Sequence, residues 1–179
     1  PPQLPNDDLI AEIHDAGQQL LNDYGFQHYE VSAYAKSTYY CRHNINYWEF
    51  GDYIGIGAGA HSKLTDINSG AITRHWNMKS PKDYLNADQS FIANKKTIHK
   101  NELPLEFMLN ALRLQQPIPI TLLSQRTGLT LKDIETPLSQ ACHKGLLSSD
   151  KQHLIVSPLG KRYLNELLEL FLPMQRLTT

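Results

Sequence analysis

Apolar residues recur at three- and four-residue spacing over Leu9, Ile13, Ala16, Leu20 and Tyr24. That period predicts an amphipathic helix of about five turns. The prolines of Pro1-Pro-Gln-Leu-Pro5 predict an extended lead-in, Asn6 a cap, and Asp7 and Asp8 a favourable first turn. Gly25 predicts the left-handed stop. From Phe26 to Tyr34 the pattern alternates, with Tyr29, Val31 and Ala33 on one face and Glu30, Ser32 and Tyr34 on the other, which predicts a strand. Lys36 to Phe50 has no steady period and predicts an ordered loop with one helical turn. Tyr53 to Ala58 is nearly continuously apolar and predicts a short buried strand in a parallel position. A hairpin is expected next, from Ser62–Asp66 through Asn68-Ser-Gly70 to Ala71–Trp76, then a helix opened by Ser80-Pro81 and running to about Ala87.

Beyond a connector at 89–102 the grammar changes to short helices. Leu105, Phe107, Met108, Leu109 and Leu112 predict a helix ending before Pro117, and Ile120–Thr127 a second, stopped by Gly128. Leu131–Lys144 is a third, with Pro137 kinking it or delaying its start. Leu146–Val156 folds back as a small hairpin around the polar tip 149–152. Ser157-Pro158 opens a last helix whose stripe Leu159, Tyr163, Leu167, Leu170 and Phe171 is expected in the core. The fold class expected is α/β plus α: residues 1–88 as one unit and 103–179 as a winged-helix-like unit.

Composition narrows function by exclusion. The 179 residues carry a net charge of −1, and residues 100–179 hold nine Lys and Arg against seven Asp and Glu. In the third helix Lys132 and Lys144 are cancelled by Asp133 and Glu135. A DNA-binding winged helix needs a basic face for phosphate contacts, so no nucleic-acid partner is expected. No run approaches a membrane span, and two separated cysteines, Cys41 and Cys142, give no disulfide framework, so a cytoplasmic setting is expected. The start at Pro1 in place of Met marks the chain, on this reading, as a piece of something longer.

The chemistry concentrates between Tyr29 and Leu64. Tyr29-Glu-Val-Ser-Ala-Tyr-Ala35, His43-Asn-Ile-Asn-Tyr-Trp48 and Gly55-Ile-Gly-Ala-Gly-Ala-His-Ser62 succeed one another there. With Pro104–Arg113, Gly145-Leu-Leu147 and Leu159–Leu164, these motifs resemble the oxygen-independent coproporphyrinogen III oxidase-like family of radical SAM proteins. The His-Asn-x-x-Tyr-Trp element is most similar to the haem-chaperone branch. The resemblance implies the last strands of an incomplete (β/α) barrel followed by the family's C-terminal domain. It also implies S-adenosylmethionine and a [4Fe–4S] cluster in the parent protein. The family's Cys-x3-Cys-x2-Cys motif is absent, so this chain alone is expected to be inactive in radical chemistry.

Site expectations come from the residue types and from the resemblance. Alternate Gly55, Gly57 and Gly59 clear one face of the chain for a close approach, or serve only tight packing. The resemblance implies that backbone at Ile56, Gly57 and Ala58 lies along the adenosyl part of S-adenosylmethionine. Imidazole is a common haem ligand, and the resemblance makes His43 a candidate axial ligand to haem iron, with Tyr47 and Trp48 as a flat wall for the tetrapyrrole. The competing reading of His43 and Asn44 is a pair that fastens a loop by hydrogen bonds. A three-histidine site of His43, His61 and His75 is a weaker alternative, and Glu30 with Tyr34 could line a barrel mouth. Three functions are thus expected in order: haem binding and delivery to an accepting protein, true oxidation of coproporphyrinogen III propionates to vinyls, and DNA binding. A cut barrel edge would also favour dimers.

Overall fold

The computed structural model describes residues 4–150 and 152–173. The lead-in at residues 1–3 and the tip residue 151 of the last hairpin lie outside them. Helix α1 (Asp7–Asp23) is capped by the Asn6 side chain, which accepts from the Leu9 N–H at 2.9 Å. Gly25, with φ +79°, turns the chain out of it. The helix is as predicted, but none of its residues is buried, and Ile13 and Leu20 are 58% and 59% exposed.

The strand expected from Phe26 to Tyr34 is instead a hairpin, β1 (Phe26–Glu30) and β2 (Ala33–Lys36), paired antiparallel. No glycine or asparagine marks its turn at Val31-Ser32. The turn is fixed from outside: Val31 N–H donates to the Arg113 carbonyl at 3.0 Å and Gln115 N–H to the Tyr29 carbonyl at 3.1 Å. The aperiodic stretch after it holds more than one helical turn, as α2 (Arg42–Trp48).

Tyr53–Ala58 is not a buried parallel strand. Only Tyr53 bridges to Lys63, antiparallel, and Ile54 and Ile56 are 73% and 87% exposed. Positive φ at Gly57 (+105°) and Gly59 (+72°) ends the extended backbone there. The predicted hairpin comes next as β3 (His61–Thr65) and β4 (Ile72–Asn77), and helix α3 (Pro81–Leu85) opens at Ser80. The stretch read as a connector carries β5 (Ile92–Thr97), which completes a β3-β4-β5 sheet.

The remaining elements keep the predicted order: α4 (Leu103–Ala111), β6 (Ile118–Pro119) and α5 (Ile120–Thr127), the last closed by Gly128 at φ +70°. A 3-10 turn at Leu131–Ile134, with a Thr130–Asp133 capping box, precedes α6 (Glu135–His143). Pro137 therefore lies in the first turn of α6, where its missing N–H costs nothing. Strands β7 (Leu147–Ser149) and β8 (His153–Val156) form the hairpin, and β6 joins them in the order β6-β8-β7. The last helix breaks at Tyr163 into α7 (Pro158–Arg162) and α8 (Leu164–Glu169). Its stripe is accordingly only partly core: Leu167 and Phe171 are buried, while Leu159 and Tyr163 are exposed.

Strand pairing among the described residues is antiparallel throughout, in three small sheets, and no barrel closes among them. One apolar core runs through Phe107, Met108, Ala111, Leu123, Ile134, Leu154 and Leu167. Phe50, Ile72 and Ile98 enter that same core from the preceding half of the chain.

Candidate functional site

Helix α2 gathers the aromatic side chains of the site. His43 and Tyr47 are one turn apart and share a face. Both meet Tyr53, His43 edge-on with ring centroids 6.5 Å apart and Tyr47 at 5.0 Å. Trp48 stands at 89° to Tyr47, so the two rings do not make one flat wall as expected. His43 is exposed, and Tyr47 and Trp48 are half-buried.

The C-terminal end of α2 is pinned by the residues directly after it. Phe50 takes a positive φ of 57° and drops its ring into the core, 1% exposed. Gly51 then lies against Asn46 so closely that any Cβ would collide with it. Asn46 Nδ2 donates to the Asp52 carbonyl at 2.9 Å and Gly51 N–H to the Asn46 carbonyl at 2.7 Å. Asn44 has a fastening role too, donating to Tyr29 Oη at 3.5 Å and accepting from Cys41 Sγ at 3.4 Å.

Three cations lie beneath and beside this helix. Lys63, 1% exposed, donates to Asp52 Oδ1 at 2.7 Å and sits 4.3 Å from the centre of the Phe50 ring. Burial pulls the Lys63 ammonium below its ordinary range, opposed by Asp52. Burial pushes the Asp52 carboxyl up, but hydrogen bonds from Lys63 and Thr65 outweigh it and hold it low. Arg74 donates from Nε and Nη2 to Glu106 Oε2 at 3.1 and 2.6 Å, and from Nη1 to Tyr53 Oη at 3.4 Å. Burial and the neighbouring Tyr47 push the Tyr53 hydroxyl up to about 12, so it is protonated at neutral pH. The Arg113 guanidinium stacks 4.4 Å from the Trp48 ring centre, with Nη2 3.7 Å from Glu30 Oε2.

The glycine segment is held by side chains from three other elements, β3, β4 and α3. Asn77 Nδ2 donates to the Gly55 and Gly57 carbonyls at 3.2 and 2.9 Å. Ser62 Oγ accepts from Gly55 N–H at 2.9 Å, and Tyr84 Oη from Gly57 N–H at 3.2 Å. A side chain at Gly55 would strike the His61 backbone, which is the packing need for that glycine, whereas the space beside Gly57 is open. Ile56 and Ala58 face solvent.

Several expected groupings do not form. His61 pairs across the sheet with Trp76, while its neighbour Ser62 pairs with His75, so His61 and His75 point to opposite faces. Glu30 is buried toward Arg113, but Tyr34 stacks on His28 at 4.5 Å, so the two do not line one mouth. Among the described residues no group of three or more His, Cys, Asp or Glu side chains could hold a metal ion, and both thiols are exposed. Cluster ligation requires several thiolates together, so these residues do not fit a [4Fe–4S] cluster. The sequence reading missed Tyr53, Arg74, Glu106 and Arg113. Their available signal was charge set among apolar positions: Arg74 between Ile72 and Trp76 on one strand face, Arg113 between two buried leucines.

Comparison with known proteins meets this arrangement from outside. Residues 98–163 match the HemN C-terminal domain. Those residues belong to the HemN C-terminal domain family. The domain runs from Ile98 through α7 and so includes Glu106 and Arg113, while α2 lies outside it. The chain is 41% identical over 172 residues to a "Heme chaperone HemW" of Haemophilus influenzae, covering 96% of this chain and 44% of that protein. It is 40% identical to the Escherichia coli protein of the same name, again over 96% of this chain and 45% of the relative. In structure it is similar to Escherichia coli coproporphyrinogen III oxidase (HemN), a radical SAM enzyme, with a TM-score of 0.66 at 15% identity. That match covers 94% of this chain and 42% of HemN. The family resemblance carried by the central motifs is borne out, and the mixed α and β fold is shared with part of HemN. The chain thus spans less than half the length of these relatives. No helix among the described residues is long and apolar enough to cross a membrane.

Proposed function

We propose that this chain forms the tetrapyrrole-facing portion of a cytoplasmic haem chaperone, which binds haem and delivers it to an accepting protein. The reading rests chiefly on 40–41% identity to two bacterial haem chaperones across 96% of the chain. Haem is the cargo, and His43 is its axial ligand. The residue is exposed on α2, while its neighbours Tyr47 and Tyr53 are half-buried and fixed, so the imidazole is presented on a rigid support. Tyr47 and Trp48 contact the tetrapyrrole as two perpendicular faces of a corner.

In the whole protein, the backbone at Ile56, Gly57 and Ala58 would hold S-adenosylmethionine. Tyr84 and Asn77 hold that backbone in place, and the open space at Gly57 leaves room for a close approach. Bound with a cluster supplied by other residues, it provides radical-generating chemistry. Residues 103–173 are read as a winged helix, with β7 and β8 as the wing and β6 as its third strand. Their role is to support α2, not to read DNA.

Haem titration monitored at the Soret band tests the reading on the full-length protein and on His43→Ala. A saturable Soret band is expected, with binding weakened by tenfold or more, roughly, in the variant. Equal binding by both proteins rejects His43 as the ligand.

A further inference from the structure

Arg113 joins three segments at one point. Its carbonyl accepts from Val31 N–H at 3.0 Å, which fixes the turn of the β1–β2 hairpin. Its guanidinium lies 3.7 Å from the buried Glu30 carboxylate and donates to Ser32 Oγ at 3.4 Å. The same group stacks over Trp48 at 4.4 Å, and Trp48 ends the helix that carries His43. Arg113 itself lies two residues past the end of α4, just after its cap Leu112; α4 is the first helix of the HemN C-terminal domain.

The arrangement costs more than simple packing requires. Arg113 Nε, Glu30 Oε2 and Trp48 Nε1 are all buried with no hydrogen-bond partner. Unpartnered buried polar atoms are expensive, and an apolar side chain of similar volume could cover Trp48 without adding Nε to them, at the cost of removing the cation beside the buried Glu30 carboxylate. What the arginine adds is a planar cation held in a fixed orientation against an aromatic face. A second link runs parallel to it, from Glu106 on α4 through Arg74 to Tyr53, whose ring touches His43 and Tyr47.

We propose that Arg113 is a positioning residue for α2, through which the C-terminal domain sets the orientation of the haem-facing His43. The consequence for haem rests on the chaperone reading, whereas the hold on α2 does not. Trp48 and His43 are on one short helix with no buried residue of its own, so its orientation is set by a few side-chain contacts, among them the Arg113 stack at its C-terminal end. Loss of the stack frees the helix to rotate on Phe50, and the imidazole moves with it.

The test compares the full-length protein with Arg113→Met and Arg113→Lys, the latter keeping charge but losing the plane. Amide hydrogen exchange is read without haem over 42–48 and, as an internal control, over 120–127. Exchange in 42–48 is expected to rise about tenfold in Arg113→Met and less in Arg113→Lys, with 120–127 unchanged. Arg113→Met is also expected to shift the Soret maximum of the ferric haem complex, a change that loss of stability alone would not produce. Unchanged exchange over 42–48 in both variants overturns the proposal, as does an equal rise over 120–127 in both. If His43→Ala leaves haem binding intact while exchange in 42–48 rises as stated, the chaperone ligand is wrong and the hold of Arg113 on α2 stands.

Discussion

Within the HemN C-terminal domain, Phe107, Met108, Ala111, Ile134 and Ala141 are wholly removed from solvent. Helices α1 and α2, by contrast, contain no buried residue at all. The first region is held by close-packed apolar side chains, whose attraction is non-directional and summed over many contacts. The second region, from α2 through β4, enters that core at Phe50 and Ile72 and is otherwise held by a few directional links: Arg113 on Trp48, Arg74 on Tyr53, Asn77 on the glycine segment, Lys63 on Asp52. Proposed ligand contacts are all on the second region. A dense region thus serves as the frame, and the exposed chemistry is hung on it by individually weak contacts.

This contrast can be broken first at the frame. Phe107→Ala removes a ring with no exposure that packs at 5.9 Å against Phe50, so both regions lose their shared support. A loss of about 4 kcal/mol is expected by denaturant titration, in a single transition that carries both regions down. Two separate transitions would show that the regions are independent.

A smaller effect is expected at the directional links. Asp52→Asn leaves the Lys63 ammonium buried against Phe50 without its counter-charge. Breaking a buried pair costs several kcal/mol; with the Asp52 side chain 40% exposed and screened, about 2 kcal/mol is expected. The pH dependence has the matching sign. The Asp52 pKa is lowered in the fold from 3.8, so its contribution is present above that value and disappears as pH falls through the folded pKa. Acid titration of the variant should therefore lack the part of the stability loss that wild type shows below about pH 4.

The smallest effect is a gain. Gly17 is in the middle of α1 with nothing within 4 Å of the place a Cβ would occupy. Gly17→Ala should stabilise that helix by about 0.7 kcal/mol, read as increased amide protection over residues 12–22.

The same contrast explains what the sequence made legible. In the frame, periodicity and stop signals sufficed: α5 ends at Gly128 and α6 at Gly145, each with φ near +70°. Ser80 and Ser157 cap their helices as their Ser-Pro pairs announce. Failures cluster where tertiary contacts override local pattern. The turn at Val31-Ser32 has no turn chemistry, because its backbone partners come from residues 113–115. Tyr53–Ala58 reads as a buried strand by composition, yet its glycines leave the extended region and its isoleucines face outward. β5 is exposed at every position, so no buried face marked it; its place is set by its antiparallel pairing with β4. Of the candidate site, the histidine and its aromatic neighbours were readable as a motif. The arginines that hold them had only the weaker signal of a charge set among apolar positions, because the partners that bury Arg74 and Arg113 are distant in sequence.

The placement of the tryptophans has an optical consequence. The chain has two, Trp48 against Arg113 and Trp76 edge-on to His61 at 5.8 Å, and neither is in the domain that holds most of the core. Tryptophan emission therefore senses the surroundings of the hung region, and circular dichroism reads the helices of the frame directly.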